Sequence, residues 1–118
     1  MMVLMLAIGG GLGAAIRWGM THLIPTPAHG FPVAITAVNV AGSIALGFLV
    51  GAEVAMVGSL HVGVLTVGVL GGFTTFSTWM VDIDRHEGFT AQMAIVLVPL
   101  LLGVAGAAIG VTLGLAAA

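Results

Sequence analysis

Charged side chains are almost absent from this chain, and their scarcity limits what it can fold into. Asp, Glu, Lys and Arg make up 5% of the 118 residues, whereas a water-soluble domain carries about 25%. Because 60% of the residues are hydrophobic, the sequence holds too few polar side chains to cover a soluble surface. We therefore predict an integral membrane protein whose main partner is the lipid bilayer.

The composition also excludes several classes of function. Two cationic side chains and a net charge of −2 cannot neutralise a run of phosphates, so we expect no nucleic-acid partner. Without cysteine, the chain has no disulfide, no thiolate nucleophile and no thiolate metal site. The sequence offers no other nucleophile–base constellation, and we predict that the protein is not an enzyme.

Four hydrophobic stretches account for nearly all of the sequence. Each has close to the roughly 20 residues that one transmembrane helix needs. We predict an all-α membrane protein, with residues 1–118 forming a single domain of four transmembrane helices at about 3–24, 32–52, 60–81 and 91–116. The charge cluster at residues 82–88 must then lie in the headgroup region or beyond it.

Glycines recur every four residues on three of these predicted helices. They are Gly9 and Gly13, Gly47 and Gly51, and Gly106, Gly110 and Gly114. Small residues at this spacing let helix backbones approach closely in lipid. We interpret these faces as packing surfaces of a compact bundle, which also favour oligomers.

The two arginines specify the orientation of the chain only weakly. Cytoplasmic loops of membrane proteins carry an excess of Lys and Arg. With four spans, Arg17 and Arg85 both belong to the side opposite the termini, although Arg17 lies inside the first span. A chain with so small a bias could insert in both orientations.

The second span carries a polar face made of Thr36, Asn39 and Ser43. An asparagine in mid-membrane is costly unless its amide has a partner. Two interpretations are open at this point. The amide either forms a hydrogen bond between helices or lines a pore and donates to an anion.

The third span contains the segment Gly71 to Trp79, GGFTTFSTW. Two glycines and four hydroxyl residues predict a helix broken near its middle. A break frees backbone groups at membrane depth, which is tolerated only where protein buries them or an ion pathway uses them. The freed carbonyls could bind a cation, or the segment could be a packing kink with its hydroxyls bonded back to the helix.

Two aromatic side chains and one arginine are further candidates for ion contact. Phe76 and Trp79 are three residues apart and share a helix face, and the positive edge of an aromatic ring can attract an anion. Aromatic residues at this spacing also suit lipid contact or a core. Arg17 could extend to the membrane interface or draw anions into a vestibule.

Three segments match sequence patterns of one known family. Residues 9–18, GGGLGAAIRW, resemble the pattern GGxxGAxxR followed by an aromatic residue. Residues 38–43, VNVAGS, resemble VNxxGS, and residues 71–79 closely resemble GGxTTFSTF. Together, in this order and with four spans, they resemble the fluoride channel family, known as Fluc or CrcB.

This resemblance implies a fold, an activity and a location. Family members are antiparallel, dual-topology dimers with two fluoride pores. The resemblance implies a homodimer, or a heterodimer with a related chain, in the cell inner membrane. A channel of this kind would let fluoride leave the cytoplasm passively and would confer fluoride resistance.

The resemblance also assigns roles to individual residues. Pore positions that contact fluoride are implied for Asn39, Phe76, Ser77, Thr78 and Trp79. Arg17 takes the position of the vestibule arginine. The backbone carbonyls of Gly71 and Thr74 take the positions that hold a structural sodium ion at the dimer interface, two from each subunit.

The sequence departs from the family pattern at several of these positions. Trp79 stands where the family usually has phenylalanine, and Met80 and Asp82 replace what are usually serine and glutamate. The chain has no tyrosine, and Thr112 is the one plausible pore-lining hydroxyl of span four. These differences raise the hypothesis of a pore with low throughput, or of a chain that works with a different partner chain.

Two other classes of function stay open on the sequence alone. A small multidrug-type, proton-coupled exporter needs a membrane-embedded carboxylate in its first span, where this chain has Arg17 and no acid. A non-conducting assembly subunit would explain the glycine faces. It would not require the polar face of span two or the predicted break.

Overall fold

The computed structural model describes residues 1–27, 30–55 and 60–118, and their side chains except those of 53–55, 60–63, 65, 66 and 77. The described chain is helical throughout its regular structure. Its elements are α1 (Met2–Leu23), α2 (Val33–Ala55), α3 (Leu60–Phe73), α4 (Ser77–Asp84) and α5 (Phe89–Ala117). The prediction of an all-helical protein is confirmed.

Three of these helices are long and apolar enough to cross a membrane, at Met2–Leu23, Val33–Ala52 and Phe89–Ala117. They coincide with the first, second and fourth predicted spans. The third predicted span falls on α3 and α4, which have 14 and 8 residues. Each of these is shorter than the roughly 20 residues that a single crossing needs.

The ends of the helices follow from proline and glycine. Ile24 follows α1 with φ −113° and ψ 91°, because the ring of Pro25 disfavours helical geometry in the residue before it. Gly88 precedes α5 with φ +99°, a conformation that a side chain makes strained. Gly88 also accepts the first hydrogen bond of α5, from the N–H of Gln92 at 3.1 Å.

Packing is dominated by two helix pairs, α2 against α5 and α1 against α3. A Cβ atom added to Gly47 or Gly51 would overlap backbone carbonyl oxygens of α5, and one added to Gly110 or Gly114 would overlap those of α2. The two glycine faces therefore lie against each other. The interpretation of these faces as packing surfaces is confirmed for α2 and α5.

The α1–α3 pair packs in the same way. A Cβ atom on Gly13 would overlap the carbonyl oxygen of Val69, and one on Gly72 would overlap that of Gly10. Beyond α3 the chain changes partners, since the short α4 contacts α5. The segment between α3 and α4 thus carries the chain from one helix pair to the other.

Most large apolar side chains face outward. The buried hydrophobic residues among those described are Ala34, Ile35, Val38 and Ile95. The molecule measures 48 × 29 × 21 Å, and its long axis exceeds the roughly 30 Å hydrocarbon core of a bilayer. An apolar surface of this extent fits contact with lipid or with other membrane helices.

Candidate functional site

Residues 74–76 separate α3 from α4. The N–H of Thr74 still donates to the Leu70 carbonyl at 3.0 Å, and the Thr74 hydroxyl donates to the same oxygen at 3.1 Å. Threonine hydroxyls that bond to a carbonyl four residues earlier weaken and bend a helix. The regular helix stops one residue before Thr74, and the backbone groups that follow need partners outside their own helix.

Asn39 of α2 supplies two of these partners. Its side-chain Nδ2 donates to the carbonyl oxygen of Thr75 at 3.0 Å, and its Oδ1 accepts from the N–H of Thr75 at 2.9 Å. The amide therefore bonds both polar backbone groups of one residue. These two bonds agree with the interpretation in which the Asn39 amide forms hydrogen bonds between helices. An amide nitrogen carries two N–H groups, and the bond to Thr75 uses one of them.

The other polar residues of α2 play different parts. The Ser43 hydroxyl donates to the Asn39 carbonyl at 2.9 Å, within its own helix. Thr36 is buried, and its hydroxyl has no hydrogen-bond partner among the described residues. Asn39 is thus the member of this polar face that reaches the segment between α3 and α4.

Arg17 reaches the same segment from α1. Its Nη1 donates to the carbonyl oxygen of Thr74 at 3.3 Å. Thr74 is one of the two residues whose carbonyls the resemblance assigns to sodium. A carbonyl oxygen has two lone pairs, so the bond to Arg17 leaves one for another partner. The second assigned residue, Gly71, lies on an open face where an added Cβ would meet nothing within 4 Å.

Most of the predicted site residues meet at one cleft of about 580 Å³. We call it the break cleft. It is lined by Asn39, Gly42, Ser43, Leu46, Val67, Leu70, Gly71, Thr74, Thr75, Phe76 and Trp79. The rings of Phe76 and Trp79 meet edge to face, with centroids 5.6 Å apart and an angle of 79° between planes. The structure thus brings Asn39, both aromatic rings and both assigned carbonyl residues together.

Thr78 lies elsewhere. The N–H of Thr78 donates to the Thr75 hydroxyl at 3.4 Å. The Thr75 hydroxyl in turn donates to the Thr78 hydroxyl at 3.2 Å. Thr78 lines a separate cleft of about 430 Å³, formed by Arg17, Trp18, Thr21, Thr26, Ala34, Ile35, Thr78 and Asp82. Residues 76 and 79 share one side of a helix, and residue 78 points to another. The side chain of Ser77 lies outside the described part of the chain.

A third cleft, of about 320 Å³, extends along α5. Its lining is Asn39, Ser43, Trp79, Pro99, Leu100, Gly103, Val104 and Ala107. Asn39, Ser43 and Trp79 belong to this α5 cleft and to the break cleft alike. Thr112, the expected pore hydroxyl of span four, instead donates to the Ile109 carbonyl on an exposed part of α5.

On span four the sequence was searched for hydroxyl groups, so the contribution of α5 to this third cleft was not predicted. Pro99, Gly103 and Ala107 recur every four residues, and this small-residue spacing was the available signal. A second feature was also missed. The indole Nε1 of Trp79 donates to the carbonyl oxygen of Ile95 at 2.7 Å, and the signal for it was a proline four residues after Ile95.

Comparison with known proteins identifies the family of this chain. Residues 4–115 match the family described as CrcB-like protein, Camphor Resistance (CrcB). This chain belongs to the CrcB family. The family that the three sequence segments resemble is therefore confirmed.

Several curated relatives carry the name fluoride-specific ion channel FluC. The relative in Paracoccus denitrificans is 40% identical over 94% of this chain and 92% of its own length. The one in Rhodospirillum centenum is 40% identical over 95% and 94%. A relative in Streptomyces avermitilis is 38% identical over 92% of this chain, which spans 55% of that protein's length. Because these CrcB relatives are named as ion channels, the prediction that the chain is not an enzyme is confirmed.

Proposed function

We propose that this CrcB protein is a fluoride-selective channel that exports fluoride passively from the cytoplasm and confers fluoride resistance. The observation that carries the proposal is the break cleft, where the Asn39 amide and the Phe76–Trp79 pair line the same space. The names of the relatives supply the identity of the ion.

The chemistry of the break cleft suits a small anion. Passage of an ion requires groups that replace its hydration shell without binding it so tightly that it cannot leave. The second N–H of the Asn39 amide is a neutral donor of this kind. Ring edges of Phe76 and Trp79 add weak positive potential without a full charge. Arg17 and Thr78, in their own cleft, suit an entrance where anions collect.

The direction of transport follows from the membrane potential. A negative cell interior drives an anion outward by about 2.3 kcal/mol per charge for each 100 mV. A passive pore in the cell inner membrane is then sufficient for export. The chain needs no coupled energy source, and none is proposed.

The proposal includes a second chain. We place the break cleft at the interface of an antiparallel dual-topology dimer, in which α3 and α4 together form the third crossing, broken at residues 74–76. The open face at Gly71 supports this, since a second copy could approach there closely. A homodimer is the simpler form, and a heterodimer with a related chain is the variant that the departures at Trp79 and span four suggest.

Sodium is part of the same proposal. The carbonyl oxygens of Gly71 and Thr74 would hold it together with the same pair from the second chain. The open face at Gly71 and the remaining lone pair on the Thr74 oxygen fit such a cation. When bound, the ion would supply fixed positive charge between the two subunits.

The alternatives are not favoured. A proton-coupled exporter needs an embedded carboxylate, and the sequence of α1 contains none. A non-conducting partner subunit remains a defined outcome of the test.

Fluoride efflux from liposomes that contain the purified chain tests this function directly. A fluoride electrode records the release, and chloride efflux from matched liposomes is the control. We expect fast fluoride release without chloride release. Folded protein that releases neither ion would overturn the proposal for the chain alone, and restored release with a related chain would identify a heterodimer.

A further inference from the structure

Pro99 interrupts the hydrogen bonding of α5 at one carbonyl. In an α-helix the carbonyl of residue 95 accepts from the N–H of residue 99, and proline has no N–H. The proline ring also pushes against the carbonyl four residues earlier. Ile95 is 3% exposed, so its oxygen lies where water offers little compensation, and an unpaired carbonyl there is strongly unfavourable.

Trp79 supplies the missing donor. Its Nε1 lies 2.7 Å from the Ile95 oxygen, within the range of a strong N–H···O bond. The indole N–H is the one donor of a tryptophan side chain, and a phenylalanine at this position would have none. Trp79 and Pro99 are therefore complementary, because one frees an acceptor and the other provides its donor.

The bond also decides which part of the indole faces the clefts. With its N–H committed to Ile95, the ring cannot offer this donor to an anion. What remains on the cleft side is carbon-bound ring surface, in edge-to-face contact with Phe76. Trp79 lines both the break cleft and the α5 cleft, so its orientation sets the wall that the two share.

We propose that Trp79 is a positioning residue for ion passage: its hydrogen bond to Ile95, made available by Pro99, holds the Phe76–Trp79 pair in the geometry that lets fluoride pass between the two clefts. The inference rests on the proposed fluoride channel. It assigns to α5 a role that needs no hydroxyl group, and it accounts for the tryptophan in this chain.

The test separates positioning from mere stability by pairing two substitutions. Trp79→Phe keeps an aromatic ring and removes the donor, which leaves the Ile95 oxygen unpaired. Pro99→Ala restores an N–H at position 99, so the double variant again satisfies that oxygen within α5. In Pro99→Ala alone, the restored N–H of residue 99 competes with the indole for the Ile95 oxygen, so that oxygen stays paired while the indole bond is weakened.

Fluoride efflux and thermal unfolding in detergent are measured for the wild type and all three variants. Trp79→Phe should lower the efflux rate about tenfold, because the ring is no longer held beside Phe76, and should lower the unfolding midpoint, because the Ile95 oxygen loses its donor. The double variant should regain the midpoint and keep the reduced efflux. Pro99→Ala alone should keep the unfolding midpoint and show an efflux rate between those of the wild type and Trp79→Phe, because its restored N–H competes with the indole.

Hydrogen exchange of the indole tests the bond itself. The two tryptophans give two indole N–H signals, and Trp18→Phe identifies the one from Trp79. That signal should exchange with deuterium at least about tenfold more slowly in the wild type than in Pro99→Ala, where the N–H of residue 99 competes for the Ile95 oxygen. Equal exchange rates would overturn the bond and the proposal with it.

The outcomes distinguish this inference from the channel proposal. Efflux that follows the unfolding midpoint through all three variants would show a purely structural role and overturn positioning. Wild-type efflux in Trp79→Phe would do the same. If the wild type itself releases no fluoride, the channel proposal fails, and the positioning role falls with it for that separate reason.

Discussion

Asn39 shows how one side chain can pair the backbone of a segment that lies between two helices. Its amide presents a donor and an acceptor side by side, and both are used by the backbone of Thr75 at 3.0 and 2.9 Å. The same group lines the break cleft. In the proposed channel, structural support and ion contact are two uses of one amide, and a substitution is expected to affect both.

Substitution of Asn39 should reveal this double use. Asn39→Ala leaves both backbone groups of Thr75 without these partners, and each loss is worth about 1–3 kcal/mol. We expect a lower free energy of unfolding in mixed micelles and loss of fluoride efflux. Thr36→Val is the matched control on the same helix face, because the Thr36 hydroxyl has no partner among the described residues and Thr36 lines none of the three clefts. Equal efflux in Asn39→Ala and wild type would contradict the assignment.

At the residue scale, the sequence motifs selected side chains that meet in the structure, but they did not predict all of the bonds that these side chains make. Asn39, Phe76 and Trp79 line one cleft, and their contact with fluoride stays a prediction. The bond from Arg17 to the Thr74 carbonyl and the separation of Thr78 were not predicted. Spacing along one helix fixes a face, but it does not fix which neighbouring helix that face meets.

At the scale of the elements, the fold depends on close contact between backbones. Gly47 and Gly51 on α2 face the backbone of α5, while Gly110 and Gly114 on α5 face that of α2. In lipid, where apolar surface alone does not drive helices together, such contact supplies the attraction. The regular spacing of these glycines made the two faces predictable from the sequence, since the four-residue period places them on one side of each helix.

An alanine at one of these glycines should separate the helices. A Cβ atom at Gly110 would overlap the carbonyl oxygen of Ile44, and such overpacking typically costs about 1–3 kcal/mol. We expect Gly110→Ala to lower the free energy of unfolding by about this amount. Gly11→Ala is the control, because a Cβ there meets nothing within 4 Å, and it should be neutral or stabilising. Similar effects of the two substitutions would argue against glycine-mediated packing.

The boundaries of the third span were the least predictable element. Hydropathy alone favours one continuous crossing over residues 60–81, whereas the chain forms α3 and α4 with residues 74–76 between them. The glycines and hydroxyls of the segment predicted an interruption. Its place was set by partners on α1 and α2 that sequence pattern does not identify.

At the scale of the whole molecule, a single chain leaves much of its functional surface open. Phe76 is 66% exposed, and the break cleft opens beside Gly71, where no neighbour lies within 4 Å of an added Cβ. In a dimer this face would be covered by the second subunit. The proposed pore is then a property of two chains.

A bulky residue at Gly71 should test that arrangement. The Cβ of a leucine at position 71 would meet no atom within 4 Å, and Gly71 is exposed in the single chain, so we expect Gly71→Leu to fold. We expect it to shift the protein from dimer to monomer in cross-linking and to abolish fluoride efflux. Gly11→Leu, also on an open face, is the control and should keep both. A dimeric, conducting Gly71→Leu protein would place the interface elsewhere.

The central claim is selective, passive fluoride conduction, and a planar-bilayer recording tests it most directly. With a tenfold fluoride gradient and equal chloride on both sides, a fluoride-selective pore should reverse near the fluoride equilibrium potential, about 59 mV in magnitude for a monovalent ion. A reversal potential near zero, or the absence of current from folded protein, would contradict the account.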